Sequence, residues 1–214
     1  MLIPVLFLLQ EDFAMLIYIV RHGETEWNKQ KRTQGSQNVS LTDTGRKQAL
    51  RLGKYLEGKS IQKIYSSDLD RAFETAKIIG DRINLVPTPS FLLREVCFGE
   101  WEGLTLDEIE EKYPGQLDKW NNNIEFKSPN GESISCVARR VQSFIQQLNK
   151  DHTKRDEKIL IVSHALTCKI LILELLDMPI KYINRFRLDN ASLSLIEFSP
   201  NRSRILFLNN ICYV

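Results

Sequence analysis

The chain has 214 residues, enough for one large domain with a full core, and its 43% hydrophobic and 26% charged residues are ordinary for a globular protein. Lys and Arg number 29 and Asp and Glu 27, so the net charge of +2 is too small to point to a nucleic acid or a membrane surface as partner. The cysteines Cys97, Cys136, Cys168 and Cys212 are scattered without a C-x-x-C pair, which favours a reducing, cytoplasmic setting over a disulfide framework or a structural zinc site.

Residues 2–9 are apolar but too few to span a bilayer, and no Lys or Arg precedes them as in a signal peptide. Met15 stands directly before the first convincing strand and can serve as a start. Residues 1–14 are therefore set apart as an extension, and 15–214 are expected to form a single domain.

In chain order, residues 16–20 read as a buried strand that ends abruptly in Arg21-His22-Gly23. Residues 23–41 are polar and turn-rich, an ordered loop. Thr42 is a good N-cap, and Gly45, Ala49, Leu52 and Leu56 recur at helical spacing before Gly58 stops the helix. A short strand at 61–65 ends in Ser66-Ser67-Asp68, and Ala72, Ala76, Ile79 and Ile83 mark the face of the next helix. Residues 91–95 are expected to be a short strand. Thr105 and Glu108 have capping-box spacing, so a helix should run to Tyr113 before Pro114. Residues 121–131 read as loop. Ile134, Val137, Val141, Phe144 and Leu148 mark a long amphipathic helix, and 158–163 form a second apolar strand that ends at His164. An apolar helix follows over 166–176, then two short strands at 192–198 and 204–208, with a turn at Pro200-Asn201.

Strands thus alternate with helices, and the central strands are too apolar to leave one face wet. The expected fold is α/β with three layers, a mostly parallel sheet covered by helices on both faces. In such sheets ligands bind at the carboxyl ends of the strands. Arg21, His22, Arg71 and His164 all fall at or just beyond those ends. Two guanidinium forks and the start of the helix after His164 suit an anion. One imidazole can then attack phosphorus while the other stabilises charge, so the cluster suits phosphoryl transfer. No carboxylate cluster with metal-ligand spacing lies near the histidines, and no nucleotide-cradling glycine motif is present.

Arg21-His22-Gly23-Glu24-Thr25 resembles the signature of the histidine phosphatase superfamily, the phosphoglycerate mutase-like fold. The resemblance extends to Asn28, Gln34-Gly35, Leu41-Thr42-Asp43-Thr44-Gly45, Ser66-Ser67-Asp68-Leu69-Asp70-Arg71-Ala72, Thr75-Ala76, Gly131-Glu132-Ser133 and Ser163-His164. Residues 98–103 resemble the broad-specificity and α-ribazole-type phosphatases. The resemblance implies that His22 becomes phosphohistidine and that Arg21, Arg71 and His164 hold phosphoryl oxygens. Asn28, Gln34, Gly35 and Ala165 would complete the pocket. Glu95 would protonate the leaving oxygen and later activate water, with Glu24, Glu100 and Glu102 as rival acids.

The sequence departs from the family pattern at Ala165, where a glycine is usual and a positive φ would be strained. Asn38 and Ser40 replace the usual aspartate and proline. Trp101, in a Gly-flanked acidic loop, is a candidate pocket residue. His152, Lys127 and Arg94 read as solvated. The reading that results is a phosphatase using neither metal nor cofactor, acting on a small phosphorylated metabolite. A cofactor-dependent phosphoglycerate mutase is the alternative, and a non-catalytic phospholigand-binding protein the second. A homodimer is left open.

Overall fold

The structure, a computed structural model, describes residues 14–152, 156–199 and 202–211. The turn at Pro200-Asn201, and the N-terminal extension except Ala14, lie outside them. The strands are β1 (Met15–Arg21), β2 (Lys63–Ser67), β3 (Thr88–Ser90), β4 (Lys158–Ser163), β5 (Leu193–Phe198) and β6 (Arg204–Asn210). They form a six-stranded sheet in the order β3-β2-β4-β1-β5-β6. The β3, β2, β4 and β1 strands run parallel, while β5 and β6 close the other edge antiparallel.

The helices are α1 (Glu26–Lys29), α2 (Asp43–Leu56), α3 (Asp70–Ile83), α4 (Leu106–Lys112), α5 (Gln116–Asn122), α6 (Ile134–Asp151) and α7 (Ala165–Leu175). Strand alternation sorts them into two layers. Tyr18, Val20, Ile64, Leu160 and Val162 face α2 and α3, meeting Leu52, Leu56, Ala72, Ala76 and Ile79. Ile17, Ile19, Ile159 and Ile161 point the other way, into α6 and α7 through Val137, Val141, Phe144, Cys168 and Ile172. Burying each such Ile or Leu stabilises the fold by about 1.5–3 kcal/mol. This is the three-layer, mostly parallel α/β architecture that the hydrophobic pattern predicts.

Three local expectations are corrected. Residues 91–95 are not a strand: pairing with β2 ends at Ser90, and a 3-10 turn (Phe91–Leu93) follows. Pro89 is tolerated in β3 because β3 is an edge strand with no neighbour for the missing N–H. Loop begins only after Asn122, because α5 buries Trp120 against Phe98 and Trp101 at ring distances of 5.3 and 5.8 Å. His152 is not solvated. Its Nε2 lies 2.9 Å from the Tyr65 hydroxyl and its Nδ1 3.1 Å from Glu157 Oε2, with 11% of the side chain exposed.

Candidate active site

Register decides the site. Arg21 pairs with Ser163 across β1 and β4, and Ser66 pairs with Val162 across β2 and β4. The carboxyl ends of three strands therefore finish level. His22, the first residue past β1, donates its N–H to Ser163 O at 2.9 Å. His164, the first past β4, is the N-cap residue of α7. The two rings lie 5.2 Å apart, and both are buried.

His22 Nδ1 is 2.7 Å from Gly23 O. A carbonyl can only accept, so this contact assigns the proton to Nδ1 and leaves the Nε2 lone pair open. Burial, then Arg71 and Arg21, hold the His22 pKa well below the ordinary histidine value, so the ring is neutral at physiological pH. The same causes, burial first and Arg71 next, depress His164. His164 Nε2 is 2.8 Å from Ser67 Oγ, which itself accepts the Leu69 N–H. With the serine hydroxyl donating to Nε2, the imidazole proton sits on Nδ1, an atom with no hydrogen-bond partner in the protein.

These depressed values make a stability prediction. Below pH 6.5 an unfolded histidine takes a proton that the folded site refuses, so the unfolded state binds more protons and stability falls with falling pH. The melting temperature should be level above pH 7 and decline between pH 6.5 and about 5, before most carboxylates titrate. Thermal unfolding followed across a pH series checks this; a melting temperature that rises on acidification through 6.5 would contradict it.

Arg71, in the first turn of α3, is fully buried. It donates to Gly35 O and Gln37 O, both at 2.7 Å, so the loop after α1 is folded around its guanidinium. Burial lowers its pKa to about 10, which still leaves it charged near neutrality. Arg21 donates to Leu188 O at 2.8 Å. The Nε atoms of both arginines, and Gln34 Oε1, are buried without a partner in the protein. Gly35 has φ +56, and a Cβ there would lie 2.0 Å from Glu102 Oε1, so only glycine fits.

Glu95 follows the 3-10 turn and is 8% exposed. Its carboxylate accepts the N–H groups of Leu166 and Thr167, both at 3.2 Å, and the Thr167 hydroxyl at 3.1 Å. It thus sits at the amino end of α7, where free N–H groups favour a carboxylate. The rival acids are engaged elsewhere. Glu24 accepts from Thr42, and Glu100 from Tyr113 and Asn130. Glu102 accepts from Ser36, Gln37 and Phe98, tying the loop at 35–37 to the segment that follows Glu95.

A cavity of about 150 Å³ lies among these groups, lined by Arg21, His22, Asn28, Arg32, Gln34, Gly35, Arg71, Glu95, Phe98 and Ala165. Three arginines and one carboxylate line it, Arg32 being held by Glu108 Oε2 at 2.7 Å. Arg21, His22, Asn28, Gln34, Gly35, Arg71, Glu95 and Ala165, all expected at the site from the sequence, line the cavity, and His164 stands beside His22. Ala165 opens α7 with an ordinary φ, so the alanine brings no strain. Asn28 closes a capping box with Thr25, and its Oδ1 also accepts from Asn190 at 3.0 Å, so its amide N–H groups are what it offers a ligand. Trp101 is not in the cavity; it is 1% exposed, packed with Trp120 and Phe126. Arg94 is not a free cation either, since it pairs with Asp68 through two contacts of 2.7 Å.

Sequence reasoning missed Arg32, Phe98 as a wall of the cavity, and Asn190. A basic residue two places before Gln34 was the available signal for Arg32. Asn190 gave none; its amide donates to His22 O at 3.2 Å and Gly23 O at 3.3 Å from a distant part of the chain. Among the described residues, no three His, Cys, Asp or Glu side chains stand together as a metal site. No helix there is long and apolar enough to cross a membrane.

An unprotonated imidazole, a second imidazole, buried guanidinium groups and one carboxylate around a small cavity define an enzyme of phosphoryl chemistry, of the phosphatase class. The chain belongs to the histidine phosphatase superfamily (branch 1), whose family model matches residues 17–211. It is 33% identical over 92% of its length to "Phosphoserine phosphatase 1" of Hydrogenobacter thermophilus, covering 93% of that protein. It is 32% identical to a "Probable phosphoglycerate mutase" of Salmonella typhi, over 87% of this chain and 86% of that one. Among solved structures, an α-ribazole phosphatase from Shigella flexneri superposes with a TM-score of 0.82 at 30% identity, covering 92% of this chain and 97% of the other.

Proposed function

We propose that the chain hydrolyses small phosphomonoesters without a metal or other cofactor, through a phosphohistidine on His22. The observation that carries this reading is the tautomer of His22: Nδ1–H is held by Gly23 O, and Nε2 is left unprotonated in a cavity lined by arginines. In the first step Nε2 attacks phosphorus and the ester P–O bond breaks, while Glu95 gives a proton to the leaving oxygen. Arg21, Arg71 and the His164 Nδ1–H hold the phosphoryl oxygens, with Asn28, Gln34 and the Gly35 and Ala165 backbone around them. Water then attacks the phosphohistidine as Glu95 takes its proton back. Phosphate leaves, and His22 is restored.

The names of the relatives support a phosphorylated small molecule as substrate, with a phosphoserine-like ester, a glucosyl-3-phosphoglycerate or a ribazole phosphate the first compounds to try. The free thiols Cys97, Cys136 and Cys168 support a cytoplasmic setting, and residues 15–214 are read as one catalytic domain. The relative named as a probable mutase keeps phosphoglycerate mutase as the second reading, because the same cleft can return the phosphoryl group to substrate.

The test is phosphate release from p-nitrophenyl phosphate in EDTA, run beside a 3-phosphoglycerate mutase assay. Hydrolysis that EDTA leaves intact is the expected result. Mutase turnover with negligible hydrolysis would move the assignment to the second reading, and loss of hydrolysis in EDTA would remove the metal-free one.

A further inference from the structure

Glu95 is gripped from two sides. Its side chain is bound to the start of α7, as described above. Its backbone is bound to α6. Arg140, in the second turn of α6 and only 18% exposed along its side chain, directs one guanidinium nitrogen at Leu92 O (3.3 Å) and Arg94 O (3.0 Å). The other nitrogen reaches Glu95 O (3.4 Å) and Glu132 Oε2 (3.0 Å). That same Glu132 oxygen accepts the Cys97 N–H at 2.9 Å, and the Glu132 N–H returns to Cys97 O at 2.8 Å. The backbone from Leu92 to Cys97, with Glu95 in its middle, is thus fastened to one end of one helix.

Taking Glu95 as the proton donor, we propose that Arg140, acting with Glu132, is a positioning residue that fixes where Glu95 delivers its proton. A planar guanidinium can serve several carbonyls and a carboxylate at once, which the single ammonium of a lysine cannot. The anchor is rigid, because Ile134, Val137 and Val141 of α6 are buried in the core around it. Removing the guanidinium takes the donor from Leu92 O and Glu95 O and loosens the backbone on its α6 side, while Arg94 O keeps the Thr167 hydroxyl at 2.8 Å and the carboxylate stays attached to α7. The acid then shifts relative to the leaving oxygen, and a misplacement of about 1 Å is worth roughly 10²-fold in rate. Nothing in the clamp touches His22, so attack on phosphorus is spared.

The distinguishing readout is leaving-group dependence. Phenyl phosphate expels a poorly stabilised phenolate that needs the proton, whereas p-nitrophenyl phosphate expels one that leaves without it. kcat/KM is measured on both esters for the wild type, Arg140→Met, Arg140→Lys, Glu95→Gln and the Arg140→Met/Glu95→Gln double variant. Arg140→Met should lose about 10²-fold on phenyl phosphate but only about threefold on p-nitrophenyl phosphate. Arg140→Lys should fall between it and the wild type. In the Glu95→Gln background, Arg140→Met should add little, because the group it positions is already disabled.

Equal losses on the two esters, or fully additive losses in the double variant, would overturn the clamp. If Arg140→Met does not fold, Glu132→Gln reads the same selectivity, and parallel losses there overturn the proposal as well. A Glu95→Gln enzyme without leaving-group selectivity would overturn both the acid role and the clamp. A selective Glu95→Gln enzyme beside an unselective Arg140→Met enzyme would overturn the clamp alone.

Discussion

His22→Ala enzyme is expected to lose phosphomonoester turnover by roughly 10⁴-fold or more, the scale on which removal of a covalent nucleophile acts. His164 cannot take over: its Nε2 is engaged with Ser67, and in that tautomer its Nδ1 carries the proton. The fold should survive, because the hydrogen bond of the His22 ring runs to the neighbouring Gly23 and ties no distant element. Removing an imidazole that resists protonation should also lessen the acid sensitivity of the fold. Steady-state rates with a circular dichroism melt check both halves. Activity within tenfold of the wild type would exclude His22 as nucleophile.

Glu95→Gln should fall less far, by about 10²–10⁴, because proton transfer assists the step without making the bond. The loss should be greatest for esters with poor leaving groups. Here some stability goes too. The carboxylate accepts from Leu166, Thr167 and Val96, and the amide nitrogen of glutamine cannot accept. A hydrogen bond contributes roughly 0.5–1.5 kcal/mol net, so a lowered melting temperature is expected as well. Rates corrected for folded fraction, on esters of graded leaving ability, separate the two effects. Glu102→Gln is the control, since its carboxylate ties the 35–37 loop and does not line the cavity. Its leaving-group profile should run parallel to the wild type.

What could be read from the chain depended on how local the cause was. The apolar runs of β1 and β4 have no polar face, which alone places them inside a covered sheet. Once parallel pairing is granted, Arg21-His22 and His164 must share an edge. Thr42 and Thr105 cap helices as their sequence spacing predicts, through contacts within one turn. The misses were tertiary. The α5 helix is held by Trp120 against Phe98 and Trp101, and residues 91–95 turn away because pairing with β2 stops at Ser90. His152 looked solvated in a charged stretch, yet Tyr65 lies 87 residues away in sequence and binds it. Ala165 looked strained only while its backbone was unknown. The same reason hid Asn190 and Arg140, which bind mainly backbone carbonyl groups that carry no sequence signature.

The most direct test of the phosphohistidine mechanism is to trap the intermediate. Protein mixed with p-nitrophenyl phosphate is quenched without acid in denaturant, and the phosphoryl adduct is located by peptide mapping. The account predicts one base-stable, acid-labile phosphate, on His22 Nε2, formed as fast as turnover and missing from the His22→Ala protein. An adduct on another residue, or rapid turnover with no adduct under conditions that slow its hydrolysis, would contradict it.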